Sequence, residues 1–177
     1  GKDQEQHLEF TRDVASRFHA QFGETFVIPE GLFNEETKII PGTDGQKMSK
    51  SRNNYINIFL PDKQMRKQIM SIQTDSKELE DPKDPETCNV FALYRLLADK
   101  DAVETMAAQY RAGGYGYGHA KQALFELIVE KYSVQREKYW YLMEHPDEIV
   151  AALEIGEQNA RKYAKEVLSR VRNTIGY

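Results

Sequence analysis

The sequence holds a single cysteine, Cys88, among 177 residues. One thiol excludes an internal disulfide framework and a cysteine-rich zinc site, and it fits a reducing, cytoplasmic setting. No apolar stretch approaches the roughly 18 to 20 residues of a membrane-spanning helix, and no signal-peptide pattern opens the chain. A basic excess is also missing: 24 Lys and Arg stand against 28 Asp and Glu, a formal charge of −4. Bulk charge therefore recruits no polyanion, and any nucleic-acid contact must rest on a local basic patch. Repeats at solenoid periods and low-complexity tracts are absent. So is an initiator Met: polar residues from Gly1 run straight into a helical pattern, which reads as a cut made inside a longer protein.

What is present is ordinary for a folded domain, with 40% hydrophobic and 29% charged residues. Residues 4 to 22 carry Leu8, Thr11, Val14 or Ala15, Phe18 and Phe22 at three- and four-residue steps, a helix that Gly23 can end. Thr25 to Ile28 and Lys38-Ile39-Ile40 are short β-prone runs, closed by Pro29 and by Pro41-Gly42. From about residue 60 the pattern is helical throughout. Pro61-Asp62 opens a helix with Met65, Ile69 and Ile72 on one face. A charged stretch from Lys77 to Glu86, holding Pro82 and Pro85, reads as a surface loop. Val90, Phe91, Tyr94 and Leu97 mark the next helix. Asp101 with Glu104 is a D-x-x-E variant of the capping box for another, with Val103, Met106 and Tyr110 inward and Gly113-Gly114 at its end. Ala120 to Met143 reads as one long helix with Leu124, Leu127, Ile128 and Val134 inward. Pro146 starts the last helix, 147 to 173, with Ile149, Leu153, Ala160, Tyr163, Ala164, Val167 and Val171 on its buried side.

The segment richest in chemistry is Lys47-Met48-Ser49-Lys50-Ser51. Gly42-Thr43-Asp44-Gly45 before it and Arg52-Asn53-Asn54 after it are turn-forming and polar. Two lysines three residues apart on such a loop make a cationic clamp suited to a polyphosphate. Their ammonium groups can neutralise charge on a leaving pyrophosphate, and hydroxyls and amides can add hydrogen bonds. The plain alternative is a solvated basic loop. At the other end, Gly1-Lys2-Asp3-Gln4 stands just before a helix, where a glycine permits close approach and amides favour polar groups. Asp3 could accept from a ribose hydroxyl or simply cap the helix.

The five-residue lysine string resembles the signature loop of class I aminoacyl-tRNA synthetases. Gly1-x-Asp3-Gln4-x-x-His7, followed by Arg12-Asp13-x-Ala15-x-Arg17-Phe18, resembles the bacterial type of tryptophanyl-tRNA synthetase. Gly114-Tyr115-Gly116-Tyr117-Gly118-His119-Ala120-Lys121 is similar to that family's G-Y-G-x-x-x-K segment, which opens a long helix. The resemblance spans nearly the whole chain.

The resemblance implies a fold that is mostly α: the C-terminal remnant of a Rossmann-type α/β nucleotide-binding domain (1–60), then an all-helical, tRNA anticodon-binding bundle (61–177). It implies ATP-dependent activation of tryptophan to the aminoacyl-adenylate, then transfer to tRNA(Trp). Gly1, Lys2, Asp3 and the Ile39 backbone would face ATP, and Gln4 would reach the amino end of tryptophan. Lys47 and Lys50 would be the catalytic pair, with Met48, Ser49 and Ser51 shaping the ATP-binding loop. Mg²⁺ would accompany the ATP phosphates, held mainly by them. The parent would be a cytoplasmic homodimer with no membrane attachment. The family's H-I-G-H-type motif, its P-x-G-x-x-H-x-G segment and most of the indole pocket are missing, so the segment alone is expected to be inactive.

Three further features carry two readings each. Arg161, Lys165 and Arg172 fall on one face of the last helix and could meet the tRNA anticodon arm, or be a solvated face interleaved with Glu157 and Glu166. Tyr139-Trp140-Tyr141 reads as helix packing in preference to a base-stacking platform. The four histidines are too scattered for a metal site and read as structural or surface residues. The competing enzyme reading takes tyrosine as substrate; the competing non-enzyme reading is a helical RNA- or protein-binding module.

Overall fold

The computed structural model describes residues 4–32 and 40–177. Seven α-helices run through them: α1 (Glu5–Phe22), α2 (Asp62–Met70), α3 (Asn89–Arg95), α4 (Lys100–Ala112), α5 (Tyr117–Lys131), α6 (Ser133–Glu144) and α7 (Pro146–Ile175). A 3₁₀ turn, Pro85–Thr87, precedes α3. The described residues form no strand, only one isolated antiparallel bridge between Pro41 and Lys47. No helix among them is long and apolar enough to cross a membrane. Two compact units divide the chain, one of residues 1–38 with 141–177 and one of 39–140.

The 39–140 unit holds the main core. Met65 and Ile69 of α2 and Ile72 just beyond it pack with Val90, Phe91 and Leu93 of α3, Met106, Ala107 and Tyr110 of α4, and Ala120, Leu124 and Ile128 of α5. These are the i, i+3, i+4 positions of amphipathic helices, and burying each large side chain contributes about 1.5–3 kcal/mol. Side-chain-to-backbone bonds then lock the bundle. Lys121 of α5 donates to the Met70 carbonyl at 3.0 Å, satisfying an orphan acceptor at the C-terminus of α2. Burial lowers the pKa of that ammonium from its usual range. Tyr117, at the start of α5, sends its hydroxyl to Asp75 at 2.6 Å while its ring meets Tyr110 edge-on, centroids 5.9 Å apart. The glycine-and-tyrosine segment 114–121 is thus the joint that fastens α5 to α2 and α4.

Several sequence expectations are corrected. The helix read as 120–143 is two, α5 and α6, broken at Tyr132, whose backbone leaves the helical region. Val134, expected inward, lies at the start of α6 and is exposed. Asp99, not Asp101, caps α4, accepting from the Ala102 amide at 2.8 Å. In the expected surface loop 77–86, Lys83 is only 2% exposed. Its ammonium donates to the carbonyls of Glu78, Leu79 and Asp81 at 2.8, 3.1 and 2.9 Å and lies over the Tyr117 ring. A charge is tolerated there because every proton has an acceptor.

In the other unit, Ala15 is the buried residue of α1. Thr25 to Ile28, read as β-prone, has no ladder partner among the described residues and instead folds back along α1. Phe26 packs edge-on against Phe18 with centroids 5.0 Å apart, and its amide donates to Nε2 of His19 at 2.9 Å. Arg12 holds the Pro29 carbonyl at 3.1 Å. Gly23 ends α1 at φ 89°. The stripe expected to be the buried side of α7 is not buried. None of its 30 residues is, and Leu153 and Tyr163 are 67% and 74% exposed. Periodicity announces an apolar face, and a neighbour must still be supplied to cover it. The strand expected at 38–40 lies largely outside the described residues.

Candidate functional site: the lysine loop

Residues 41–54 form a compact hairpin followed by a tight turn. The Pro41–Lys47 bridge closes the hairpin. Gly42 donates to the Gln46 carbonyl at 2.7 Å and Met48 to the Ile40 carbonyl at 2.8 Å. At the tip, the Asp44 carboxylate takes the Gln46 amide at 2.9 Å in an Asx turn. The turn beyond is closed by Asn53, which donates to the Lys50 carbonyl at 3.1 Å and sits at φ 52°. Ser49 and Ser51 hydroxyls meet at 3.2 Å, and the Arg52 amide donates to Ser49 Oγ at 3.3 Å.

The organiser is Asn54, which is 3% exposed in a loop whose other side chains are half-exposed or exposed. One amide proton goes to Asp44 Oδ1 at 2.7 Å and the other to the Lys47 carbonyl at 3.1 Å. Its Oδ1 accepts from the Ser49 amide at 2.8 Å, and its carbonyl from the Thr43 amide at 2.8 Å. Asn54 thereby holds the backbone on both sides of Met48, at Lys47 itself and at Ser49, one residue before Lys50. Gly42 must be glycine because a Cβ there would lie 2.3 Å from Asn54 Nδ2. The Asn54 hydrogen bond, with the Gln46 amide and the Arg52 charge, holds the Asp44 carboxyl below its usual range despite partial desolvation.

Lys47 and Lys50 are both exposed, while Met48 turns toward the bundle core. The arrangement is a pinned backbone carrying two exposed lysines, with the Ser49 and Ser51 hydroxyls bonded to each other between and beside them, a set of donors suited to a polyanion. Beside the loop a depression of about 460 Å³ is lined by Thr43, Asn53, Tyr55, Gln64, Lys67 and Gln68, among others.

The other sequence-predicted residues fall out differently. Gly1, Lys2, Asp3 and Ile39 lie outside the described residues. Gln4 is exposed at the entry to α1, in the other compact unit. On α7, Arg161, Lys165 and Arg172 are all exposed, and Arg161 is paired with Glu157 through Nε at 2.8 Å. Tyr139 stacks on Phe59 at 4.6 Å, and Tyr141 stacks on His145 and bonds Glu148. These are packing contacts. His119 accepts from the Gly116 amide at 3.3 Å at the start of α5, a local cap. Sequence reasoning missed Asn54, Gln73 and Asn89; only Asn54, in the polar run after the lysine string, carried any signal.

For Mg²⁺ the described residues offer no cluster of three His, Cys, Asp or Glu side chains. Asp44, the carboxylate at the hairpin tip, already accepts from Asn54 and Gln46. The described residues do not fit a protein-held ion.

Comparison with known proteins agrees with the loop. The family described as tRNA synthetases class I (W and Y) matches residues 1–133. A tryptophan–tRNA ligase of Campylobacter jejuni is 45% identical over 176 residues, 99% of this chain and 55% of that one. One from Rhodopirellula baltica is 48% identical over the same shares. The crystal structure of the C. jejuni tryptophanyl-tRNA synthetase complexed with ADP and tryptophan superposes with a TM-score of 0.86 over 100% of this chain and 56% of that one. The chain thus spans about half the length of the curated relatives it matches. With the lysine loop, the helical bundle and these relatives in agreement, the chain belongs to the tryptophan and tyrosine class I tRNA synthetases.

Proposed function

We propose that the chain is the C-terminal part of a tryptophan–tRNA ligase and contributes the loop that stabilises pyrophosphate as it leaves ATP. The observation that carries this reading is the exposed Lys47–Lys50 pair on a backbone pinned by buried Asn54, in a chain 45% identical to tryptophan–tRNA ligases. In the reaction, a carboxylate oxygen of tryptophan attacks the α-phosphorus of ATP. The new O–P bond forms as the bond from that phosphorus to the bridging oxygen breaks, and pyrophosphate departs with the electron pair. No proton needs to be removed from the nucleophile, so the work is positioning and charge stabilisation. Lys47 and Lys50 would meet the growing charge on the β,γ-phosphates, with Ser49 and Ser51 hydroxyls beside them. Gly1, Lys2, Asp3 and the Ile39 backbone would complete the ATP side, and Gln4 the tryptophan amino end. Acyl transfer to the terminal ribose of tRNA(Trp) would follow, with Arg161, Lys165 and Arg172 as candidate contacts to the anticodon arm. Under this reading residues 1–60 descend from the catalytic domain and 61–177 from the tRNA-binding domain of a cytoplasmic homodimer; Mg²⁺ would travel with ATP.

The test is ATP–pyrophosphate exchange with tryptophan and with tyrosine, on this chain and on a full-length protein containing it. Tryptophan-dependent exchange in the full-length protein alone supports the reading. Lys50→Ala should then lower the exchange rate far more than tryptophan affinity. Exchange with tyrosine, or none in either protein, overturns it.

A further inference from the structure

The hairpin that carries Lys47 does not stand free of the helical bundle; it rests on two residues with no part in the lysine string. The Gln73 amide donates to the Thr43 carbonyl at 2.7 Å. The Gln73 carbonyl in turn accepts from Asn89 Nδ2 at 3.3 Å. Asn89 also lies flat against the hairpin tip: at Gly45, φ 76°, a Cβ would approach Asn89 Nδ2 to 2.6 Å. Both supports are fixed from behind. Gln73 follows Ile72, which is 1% exposed, and Asn89 opens α3 between Cys88 and Val90, 8% and 0% exposed. Neither can drift without disturbing the bundle core.

The connection to the lysines is short. Thr43 and Gly45 lie inside the hairpin that the Pro41–Lys47 bridge closes, and Lys47 is tied onward through Asn54 to Ser49. A shift of the tip therefore carries Lys47 with it. Charge stabilisation of a leaving group is steep in position, and a displacement of about 1 Å at a catalytic group can cost on the order of a hundredfold in rate.

We infer that Asn89, acting through Gln73 and Gly45, is a positioning residue that seats the lysine loop for pyrophosphate departure. This rests on the pyrophosphate role proposed above. It touches no substrate; its contribution is to hold the hairpin at one height above α3. Gly45 belongs to the same device, because a side chain there would push the tip off Asn89.

The test is a double-mutant cycle in the full-length protein, read by ATP–pyrophosphate exchange. Asn89→Ala should lower the exchange kcat roughly tenfold while the KM for tryptophan moves less than about twofold. In a Lys47→Ala background the same change should cost little, because the group it positions is gone. Independent, multiplying effects would mean a general structural role and would overturn the inference. Absence of exchange in the parent would sink the functional reading, and the seat would then be judged separately by amide hydrogen exchange at Gln73 and Met48. Asn89→Ala should speed both by about tenfold, with the Leu124 amide in the core unchanged as a control of folding. Unaltered rates at Gln73 and Met48 would overturn the seat itself.

Discussion

Replacing Asn54 by Ala separates a designed loop from an incidental one. The substitution deletes three side-chain hydrogen bonds, to Asp44 at 2.7 Å, to the Lys47 carbonyl at 3.1 Å and from the Ser49 amide at 2.8 Å. A neutral hydrogen bond is worth about 0.5–1.5 kcal/mol net, so the two bonds to backbone groups together account for roughly 1–3 kcal/mol. Water can reach Asp44 and Lys47 once the amide is gone, since Asp44 is half-exposed and Lys47 exposed. That leaves about 2 kcal/mol of local stability lost. At 1.4 kcal/mol per tenfold, the Ser49 amide should exchange with solvent roughly 30 times faster, read residue by residue by NMR, while the Leu124 amide stays protected. Asn54→Asp sharpens the argument. It keeps the acceptor for Ser49, loses both donors, and sets a second carboxylate against Asp44, whose pKa should rise. If Ser49 exchange changes by less than about threefold in Asn54→Ala, Asn54 is not the organiser and the loop's order has another source.

Lys83→Met should lower the urea midpoint, because three carbonyls lose the donor that satisfied them; we expect a cost of about 2–4 kcal/mol, and an unchanged midpoint would refute the buried-ammonium account. Arg136, 9% exposed, bonds the Ile58 carbonyl and Asp62 and touches Met65 Sδ at 3.3 Å. Arg136→Ala should cost about 2–3 kcal/mol, discounted because Asp62 is largely exposed and rehydrates; thermal unfolding at two salt concentrations checks it. Tyr117→Phe should raise the Asp75 carboxyl midpoint back toward its ordinary value, since the hydroxyl is the main cause of its depression. In the native chain this contribution is present above the unfolded carboxyl pKa and is lost as pH falls through the lowered folded value. Carboxyl-carbon NMR titration reads it directly, and an unmoved midpoint would show that Tyr117 is not the cause.

The features legible in the sequence are those that local chemistry decides. Gly23 and Gly113 end their helices because a residue at positive φ is needed there, Pro146 starts α7, and the lysine string sits between turn-forming flanks. The core faces of α2 through α5 followed from periodicity, because their neighbours lie in the same unit. Other features depend on what approaches from afar. Asn54 and Asn89 look like ordinary loop polar residues until the chain brings Asp44, Lys47, Ser49 and Gln73 to them. Lys83 looks solvated until the carbonyls of residues 78–81 curl around its ammonium. The α7 stripe shows the reverse: its pattern promised burial, and among the described residues none of it is buried. A sequence records which groups each residue offers and at what spacing. Only tertiary structure decides which of those groups meet, because burial and long-range hydrogen bonding belong to pairs of segments and not to either one alone.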